Sequence, residues 1–210
     1  MKKYFGKEKW SHLFYTLTHP GDGFYWIRHR DKGSVPIAIL MVLLFGLCFS
    51  MNRILASFVV NDVNVRSVNL LPELAAVVLL YVLLCVGNWS ITCLMDGEGR
   101  FKDITIAVGY SLLPMIICYV LATIVSQFVA DNEQAFYTII MGLGIAYTLI
   151  LMLVGIMQMH NYTLGKTLLT LLLTLLAVFI IIFLALLITN FVGQVVAFFQ
   201  SIYTELIFRF

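Results

Sequence analysis

Three polar side chains lie inside long apolar stretches of this sequence, where polar groups are costly. Glu73, Asn88 and Gln127 each lie within one of these stretches. In a membrane interior such groups mark ion paths, proton relays or contacts between helices. Two interpretations of Glu73 are open. It forms an ion pair with Arg53 or Arg66 near the membrane surface, or it is a proton or cation site. For Asn88 and Gln127 we expect hydrogen bonds between helices.

The four histidines are the other residues whose chemistry could be functional, because imidazole is the commonest metal ligand. They are His12, His19, His29 and His160. No two of them lie four residues apart on one helix beside a carboxylate, so we expect no metal site. The sequence also lacks the HExxH and GxSxG motifs of hydrolases. These observations predict a protein that is not an enzyme and needs no cofactor.

A charged segment with two glycines separates the second apolar stretch from the third. Glycine can adopt the positive φ angles that a sharp reversal of the chain needs. We expect its three carboxylates to stay in water beside its two bases as a mixed-charge surface, with the aromatic ring turned back to the membrane interface. A docking surface and a plain solvated turn both fit this pattern. The segment consists of Asp96, Gly97, Glu98, Gly99, Arg100, Phe101, Lys102 and Asp103.

The amino-acid composition indicates the class of protein to which these residues belong. Of the 210 residues, 61% are hydrophobic and only 11% are charged, whereas soluble domains carry roughly 25% charged residues. The net charge is +2, and no basic patch lies beside stacking aromatic residues on a polar surface, which excludes nucleic-acid binding. The chain is therefore predicted to be a polytopic membrane protein.

The apolar stretches have the length of membrane-spanning helices. A helix needs about 20 residues to cross the hydrocarbon core, because it rises 1.5 Å per residue. The stretches do not alternate between apolar and polar residues as the strands of a barrel do. We predict an all-α bundle of five transmembrane helices within residues 36–190. The predicted spans are about 36–60, 70–95, 104–130, 135–160 and 167–188.

The basic residues predict the orientation, because cytoplasmic loops carry the excess of Lys and Arg. With the N-terminus inside, ten of the 13 basic residues are cytoplasmic, including Lys2 and Lys3, and three, including Arg209, are outside. We therefore expect a multi-pass protein of the plasma membrane with a cytoplasmic N-terminus and an extracytoplasmic C-terminus. On this topology His160, Tyr162 and Lys166 share the cytoplasmic side with the charged segment.

Both ends of the chain look interfacial. Within residues 1–35, an apolar stripe at helical spacing predicts an amphipathic helix that ends at His19–Gly23. The aromatic run that follows predicts a belt at the membrane surface. Residues 191–210 carry a second apolar stripe, which predicts a tail lying along the outer leaflet. The first stripe comprises Trp10, Leu13, Phe14 and Leu17, and the aromatic run comprises Phe24, Tyr25 and Trp26.

A proline and two glycines in the third and fourth spans predict how these helices bend and pack. Pro114 removes a backbone hydrogen bond and should kink the third span near its middle. Gly142 and Gly144 each precede a small residue by four positions, which lets helices approach closely in a membrane. We expect the third and fourth spans to pack tightly.

Three segments together resemble the Yip family of five-span membrane proteins. They are Cys93–Asp103, Gly109–Pro114 and His160–Thr167, and the segments Pro20–Phe24 and Lys32–Ser34 are similar to short bacterial members. The resemblance implies a cytosolic N-terminus, which agrees with the charge count. Eukaryotic members interact with Rab GTPases in vesicle traffic and membrane shaping. Because only about 35 residues precede the first span, GTPase binding is not carried over to this chain.

Two functional hypotheses follow. The first is a non-enzymatic membrane scaffold or accessory protein whose cytoplasmic face, formed by the N-terminal segment, residues 96–103 and residues 160–166, docks a membrane-protein partner or a second copy. The lipid bilayer is its other partner. The alternative is a small transporter or channel, or an accessory subunit of a transporter, with a sparse polar path through Glu73, Asn88 and Gln127.

Overall fold

The computed structural model describes residues 6–61 and 63–209, except for the side chains of Asp131 and Arg209. Lys2, Lys3 and the end of the predicted tail at Phe210 lie outside the described residues. The described chain is helical, with short 3₁₀ turns at Val65–Ser67 and Asp131–Glu133. Its α-helices are α1 (Lys7–Thr18), α2 (Pro20–Arg30), α3 (Val35–Leu55), α4 (Leu70–Leu94), α5 (Phe101–Ser111), α6 (Leu113–Ser126), α7 (Gln134–His160) and α8 (Leu164–Arg209).

Five helical segments are long and apolar enough to cross a membrane, and they confirm the predicted fold class. Four of them are single helices, and α5 together with α6 forms the fifth, at Phe101–Ser126. That segment is the most buried of the five, because α5 packs against α3, α4 and α7 while α6 packs against α3 and α7. The third predicted span is therefore the centre of the bundle.

The third span is divided into two helices. α5 ends at Ser111, and α6 restarts at Leu113 with Pro114 in its first turn. Proline is well placed in a first turn, because the amide hydrogen that it lacks would have no partner there. The kink predicted near Pro114 thus corresponds to an interruption of the α-helix at Leu112, two residues before the proline.

The N-terminal segment differs from the predicted peripheral helix. α1 does end at Thr18, before the non-helical His19, but residues 20–23 then begin α2 instead of forming a turn. Leu13, Phe24 and Ile27 are at most 1% exposed and belong to the same apolar core as residues of α3, α5 and α7. Phe24, predicted to lie at the membrane surface, is fully buried. α1 and α2 are therefore part of the folded bundle.

The helix of the fifth span is much longer than predicted. α8 runs for 46 residues without interruption, which corresponds to about 69 Å. No break separates the predicted span 167–188 from the predicted tail 191–210. Residues 179–208 are all exposed, so this part of α8, which we call the distal half of α8, extends beyond its contacts with α4 and α7.

Small residues permit close packing at particular positions. A Cβ atom on Gly144 would lie 2.7 Å from Cβ of Cys118 in α6, so this glycine faces the adjacent helix. A Cβ on Gly142 would meet no atom within 4 Å, so Gly142 faces outward. α6 and α7 share the largest contact between any two helices of the described chain. The predicted close approach of these spans therefore involves Gly144 and not Gly142.

Candidate functional site

The charged segment and the polar turn after α7 meet at one end of the bundle. We call this region, formed by α1, α2, residues 95–103 and residues 160–166, the polar end. The segment leaves α4 through Asp96, which has a φ of 53°, and the amide of Gly97 donates to the carbonyl of Thr92 at 2.8 Å. None of the described glycines has a positive φ. The expectation that Gly97 and Gly99 supply the left-handed angle is therefore wrong, because Asp96 adopts it instead.

The two glycines are instead places of close approach. A Cβ on Gly97 would lie 2.6 Å from Nδ1 of His160 and 2.7 Å from the hydroxyl of Tyr162. A Cβ on Gly99 would lie 2.7 Å from Cε1 of His160. Real Cβ atoms do not approach other atoms so closely, so only glycine lets this backbone lie against the turn after α7.

His160 and Tyr162 hold the segment through hydrogen bonds. The amide of Gly99 donates to Nδ1 of His160 at 3.2 Å, and the hydroxyl of Tyr162 donates to the carbonyl of Met95 at 3.0 Å. The two rings stack with centroids 5.2 Å apart, and Nζ of Lys166 lies 4.4 Å from the Tyr162 centroid. Burial raises the pKa of Tyr162, which keeps its hydroxyl protonated as a donor. The structure thus brings together residues that the sequence placed about 60 positions apart.

Asp103 differs from its expected position in water. Its side chain is only 2% exposed, and Oδ2 accepts a hydrogen bond from Nε of Arg100 at 2.8 Å. This bond raises the pKa of Arg100, so the guanidinium stays charged. A buried carboxylate needs such a partner, because burying an unpaired charge is costly. Asp103 is therefore a structural anchor of the segment and not part of its surface.

Ion pairs connect the segment to α2, and sequence reasoning did not find them. Oδ1 of Asp31 accepts from Lys102 at 3.0 Å and from Arg100 at 2.9 Å. The hydrogen bond from Lys102 and that from Arg100 lower the pKa of Asp31. Glu98 pairs with Arg28 at the other side of the segment. Asp31 is 69 residues from Arg100, and no local pattern in the sequence links them.

The segment still presents charges to solvent. The side chains of Asp96, Glu98, Arg100 and Lys102 are exposed although most of them are paired. Phe101 is 43% exposed and packs edge-on against Trp89 of α4, with centroids 5.9 Å apart. The result is an ordered mixed-charge surface with one half-exposed aromatic ring.

The three polar residues predicted to lie within the membrane occupy separate sites, and Gln127 lies just beyond the end of α6. Glu73 pairs with Arg53 and accepts a hydrogen bond from Ser50 at 2.6 Å. The amide of Asn88 donates to the hydroxyl of Thr174 at 3.2 Å. Nε2 of Gln127 donates to a backbone carbonyl at the end of α3, at 2.6 Å. Each group has a local partner on another helix, and the structure does not bring the three together into a polar path.

The histidines are also dispersed. His12 is buried in α1, where Nε2 lies 3.0 Å from the carbonyl of Gly23, and burial lowers its pKa. His19 and His29 are exposed. Nε2 of His160 is buried without a hydrogen-bond partner among the described residues. Within residues 6–61 and 63–209, no group of three or more His, Cys, Asp or Glu side chains could hold a metal ion.

Comparison with known proteins adds a family to this geometry. The model of the Yip1 domain matches residues 14–187, which include α2 to α7, the end of α1 and the first part of α8. The chain belongs to the Yip1 domain family. With its five membrane-length helices, it is an integral membrane protein of that family. The match ends within the distal half of α8. No curated protein and no solved structure matches this Yip1 chain.

Proposed function

We propose that this Yip1-domain protein is a non-enzymatic membrane scaffold or accessory protein that docks a partner at its polar end. The partner is another membrane protein or a second copy of the chain. The observation that supports this proposal is the fixed conformation of residues 95–103. Their charges stay exposed while Gly97, Gly99 and Asp103 attach them to the bundle. A surface that is already ordered loses little conformational entropy on binding.

The proposal also includes a location and an orientation. The protein lies in the plasma membrane, and its polar end faces the cytoplasm. In a variant without the four native cysteines, a cysteine at Asn132 should react with an impermeant thiol reagent applied to intact cells. A cysteine at Glu98 should react only after the membrane is opened. Asn132 precedes α7 and Glu98 precedes α5, so the two positions report opposite ends of one bundle. The reverse labelling pattern would refute the orientation.

Docking itself is tested by neutralising the exposed acids of the surface. The double variant Asp96→Asn and Glu98→Gln suits this purpose, because asparagine tolerates the left-handed angle at position 96. Glu98 is 61% exposed, so water screens its pair with Arg28 and folding should persist without it. Glu205→Gln, in the distal half of α8, is the matched control.

Each protein is purified from its native membranes in a mild detergent, and its stoichiometric companions are quantified by mass spectrometry. We expect the double variant to lose most of its companions while it keeps the elution volume and melting temperature of the wild type. The control should keep its companions. Equal recovery from all three proteins would refute docking at this surface. A second copy of the chain as companion would identify a self-assembling scaffold, and transporter subunits would identify an accessory role.

A further inference from the structure

A basic groove lies within the polar end, between α1 and the end of α2, and apart from residues 95–103. It has a volume of about 870 Å³ and is lined by the first turns of α1 and by the end of α2. Its cations are Lys7, Lys9, Arg30 and Lys32, and its one carboxylate is Glu8. Three of the cations, Lys7, Arg30 and Lys32, form no ion pair with any described acid. The groove therefore has an excess of positive charge.

The cations at one wall are held in place. The guanidinium carbon of Arg30 lies 3.9 Å from the centroid of Trp26, and Nζ of Lys32 lies 4.9 Å from it. Contact with the face of an indole ring stabilises both cations and restricts their motion. Two oriented cations over one ring leave their remaining donors available to an anion.

Lys9, which also lines the groove, is bound to backbone carbonyl groups. Its ammonium donates to the carbonyls of Asp31 and Gly33, the latter at 3.1 Å. Burial lowers the pKa of Lys9, and so does its neighbour Lys102. An anion in the groove would favour the charged form of Lys9 and oppose both effects. Lys9 thus holds α1 against the backbone at Asp31 and Gly33, while Lys7, Arg30 and Lys32 are available to bind a ligand.

The groove also lies at the boundary of a membrane-spanning segment. Gly33, which accepts from Lys9, is two residues before α3 begins at Val35. Tyr15, which lines the groove, and the neighbouring Phe14 are 39% and 54% exposed. Exposed aromatic rings beside basic side chains at the end of a span are typical of the headgroup region of a bilayer. Phosphate groups of anionic lipids are present at this level and attract such cations.

We propose that this groove binds the phosphate of an anionic phospholipid headgroup. Arg30 and Lys32 donate to the phosphate oxygens from the Trp26 wall, and Lys7 approaches from α1. The first turn of α1 adds the partial positive charge of a helix N-terminus. The groove joins α1 to the end of α2, so a bound headgroup links the N-terminal segment to the membrane surface independently of any partner at residues 95–103.

The test uses the full chain, stripped of lipid in a maltoside detergent. Dioctanoyl phosphatidylglycerol, dioctanoyl phosphatidylcholine and inorganic phosphate are titrated separately, and binding is followed by native mass spectrometry. We expect phosphatidylglycerol to bind about tenfold more tightly than phosphatidylcholine, with an affinity that falls as salt rises. Inorganic phosphate that binds as tightly as phosphatidylglycerol would refute the lipid headgroup as the ligand.

The double variant Arg30→Gln and Lys32→Gln removes both cations that contact the ring of Trp26. Both side chains are exposed, so the variant should elute and melt as the wild type does. We expect its preference for phosphatidylglycerol to fall about tenfold, because charge-assisted hydrogen bonds to the phosphate are lost. Arg66→Gln, in the 3₁₀ turn before α4, removes an exposed cation elsewhere and should leave the preference unchanged. An unchanged preference in the double variant, or an equal loss in Arg66→Gln, would overturn the proposal.

Discussion

The polar end and the distal half of α8 show opposite relations between composition and packing. The polar end is rich in charged residues, yet its helices α1 and α2 carry core residues such as Leu13 and Phe24. The distal half of α8 is mostly apolar, yet each of its side chains from 179 to 208 is exposed. Hydrophobicity alone does not decide what is buried within a membrane protein, because lipid is as apolar as the protein interior.

The difference lies in complementary shape and in partners. At the polar end, glycines let backbones approach, and rings, carbonyls and ion pairs fit one another across long sequence separations. Along α8, close fit is confined to its first part, where a Cβ on Gly87 of α4 would lie 3.1 Å from Val178. The Yip1 match covers the first region from residue 14 onward and ends at residue 187 in the second.

The largest expected effect comes from matched truncations of phenylalanine. Phe24→Ala removes a fully buried ring of the polar end and should destabilise the protein by about 3–5 kcal/mol. Phe191→Ala removes a ring of α8 that is 62% exposed and should change stability by less than about 0.5 kcal/mol. Thermal unfolding in detergent, followed by size-exclusion chromatography, measures both. Equal losses would show that the distal half of α8 packs as tightly as the polar end.

Glycine substitutions come next. Gly97→Ala and Gly99→Ala each force a Cβ against His160 and should cost about 1–3 kcal/mol, as overpacking does. Gly193→Ala in α8 meets nothing within 4 Å and should be neutral or slightly stabilising, because alanine favours helix. Melting temperatures of the three variants test this order. A stable Gly97→Ala protein would contradict the close docking of residues 95–99.

His12 makes the polar end sensitive to acid. Burial lowers its pKa in the folded state below the ordinary 6.5, and the nearby Lys32 and Lys9 act in the same direction. The unfolded state therefore binds more protons as the pH falls below about 6.5, and stability decreases by at most about 1.4 kcal/mol per pH unit. Above that pH, His12 is neutral in both states and contributes no pH dependence.

Melting temperatures between pH 7.5 and pH 5.5 isolate this contribution when the wild type is compared with His12→Gln. The difference in stability between the two proteins should shift in favour of the variant as the pH falls. His29→Gln, at an exposed histidine, is the control and should follow the wild type. Identical pH profiles for all three proteins would mean that His12 is not buried in solution.

The smallest expected effect concerns the ion pairs around Asp31. Asp31→Asn weakens the contacts with Arg100 and Lys102, but all three side chains are about half exposed. The loss should be about 0–1 kcal/mol and should shrink further at high salt. Asp103→Asn, at a buried carboxylate with the same arginine, should cost more. Thermal unfolding at low and high salt separates the two, and a larger loss for Asp31→Asn would reverse the assigned roles.

The sequence by itself determined the class, the five spans and the family resemblance. Span length and composition are summed over many residues, so they survive any detail of packing. The segment from Asp96 to Asp103 and the turn around His160 could also be recognised as polar features between spans. The sequence also predicts Arg53 as one of two partners for Glu73, because both lie near the same end of adjacent helices, and the structure forms this pair.

Only the tertiary structure decided which of these residues meet and which are buried. Gly97 and Gly99 are needed because His160 lies against them, although a reversal of the chain suggested a need for positive φ. Asp103 is buried and paired with the half-exposed Arg100, and Asp31, 69 residues from Arg100, joins the same network. Hydropathy reports the average surroundings of a residue, whereas contacts between distant segments depend on the shape of each surface. For this reason the spans could be predicted from the sequence, whereas the contacts within the polar end could not.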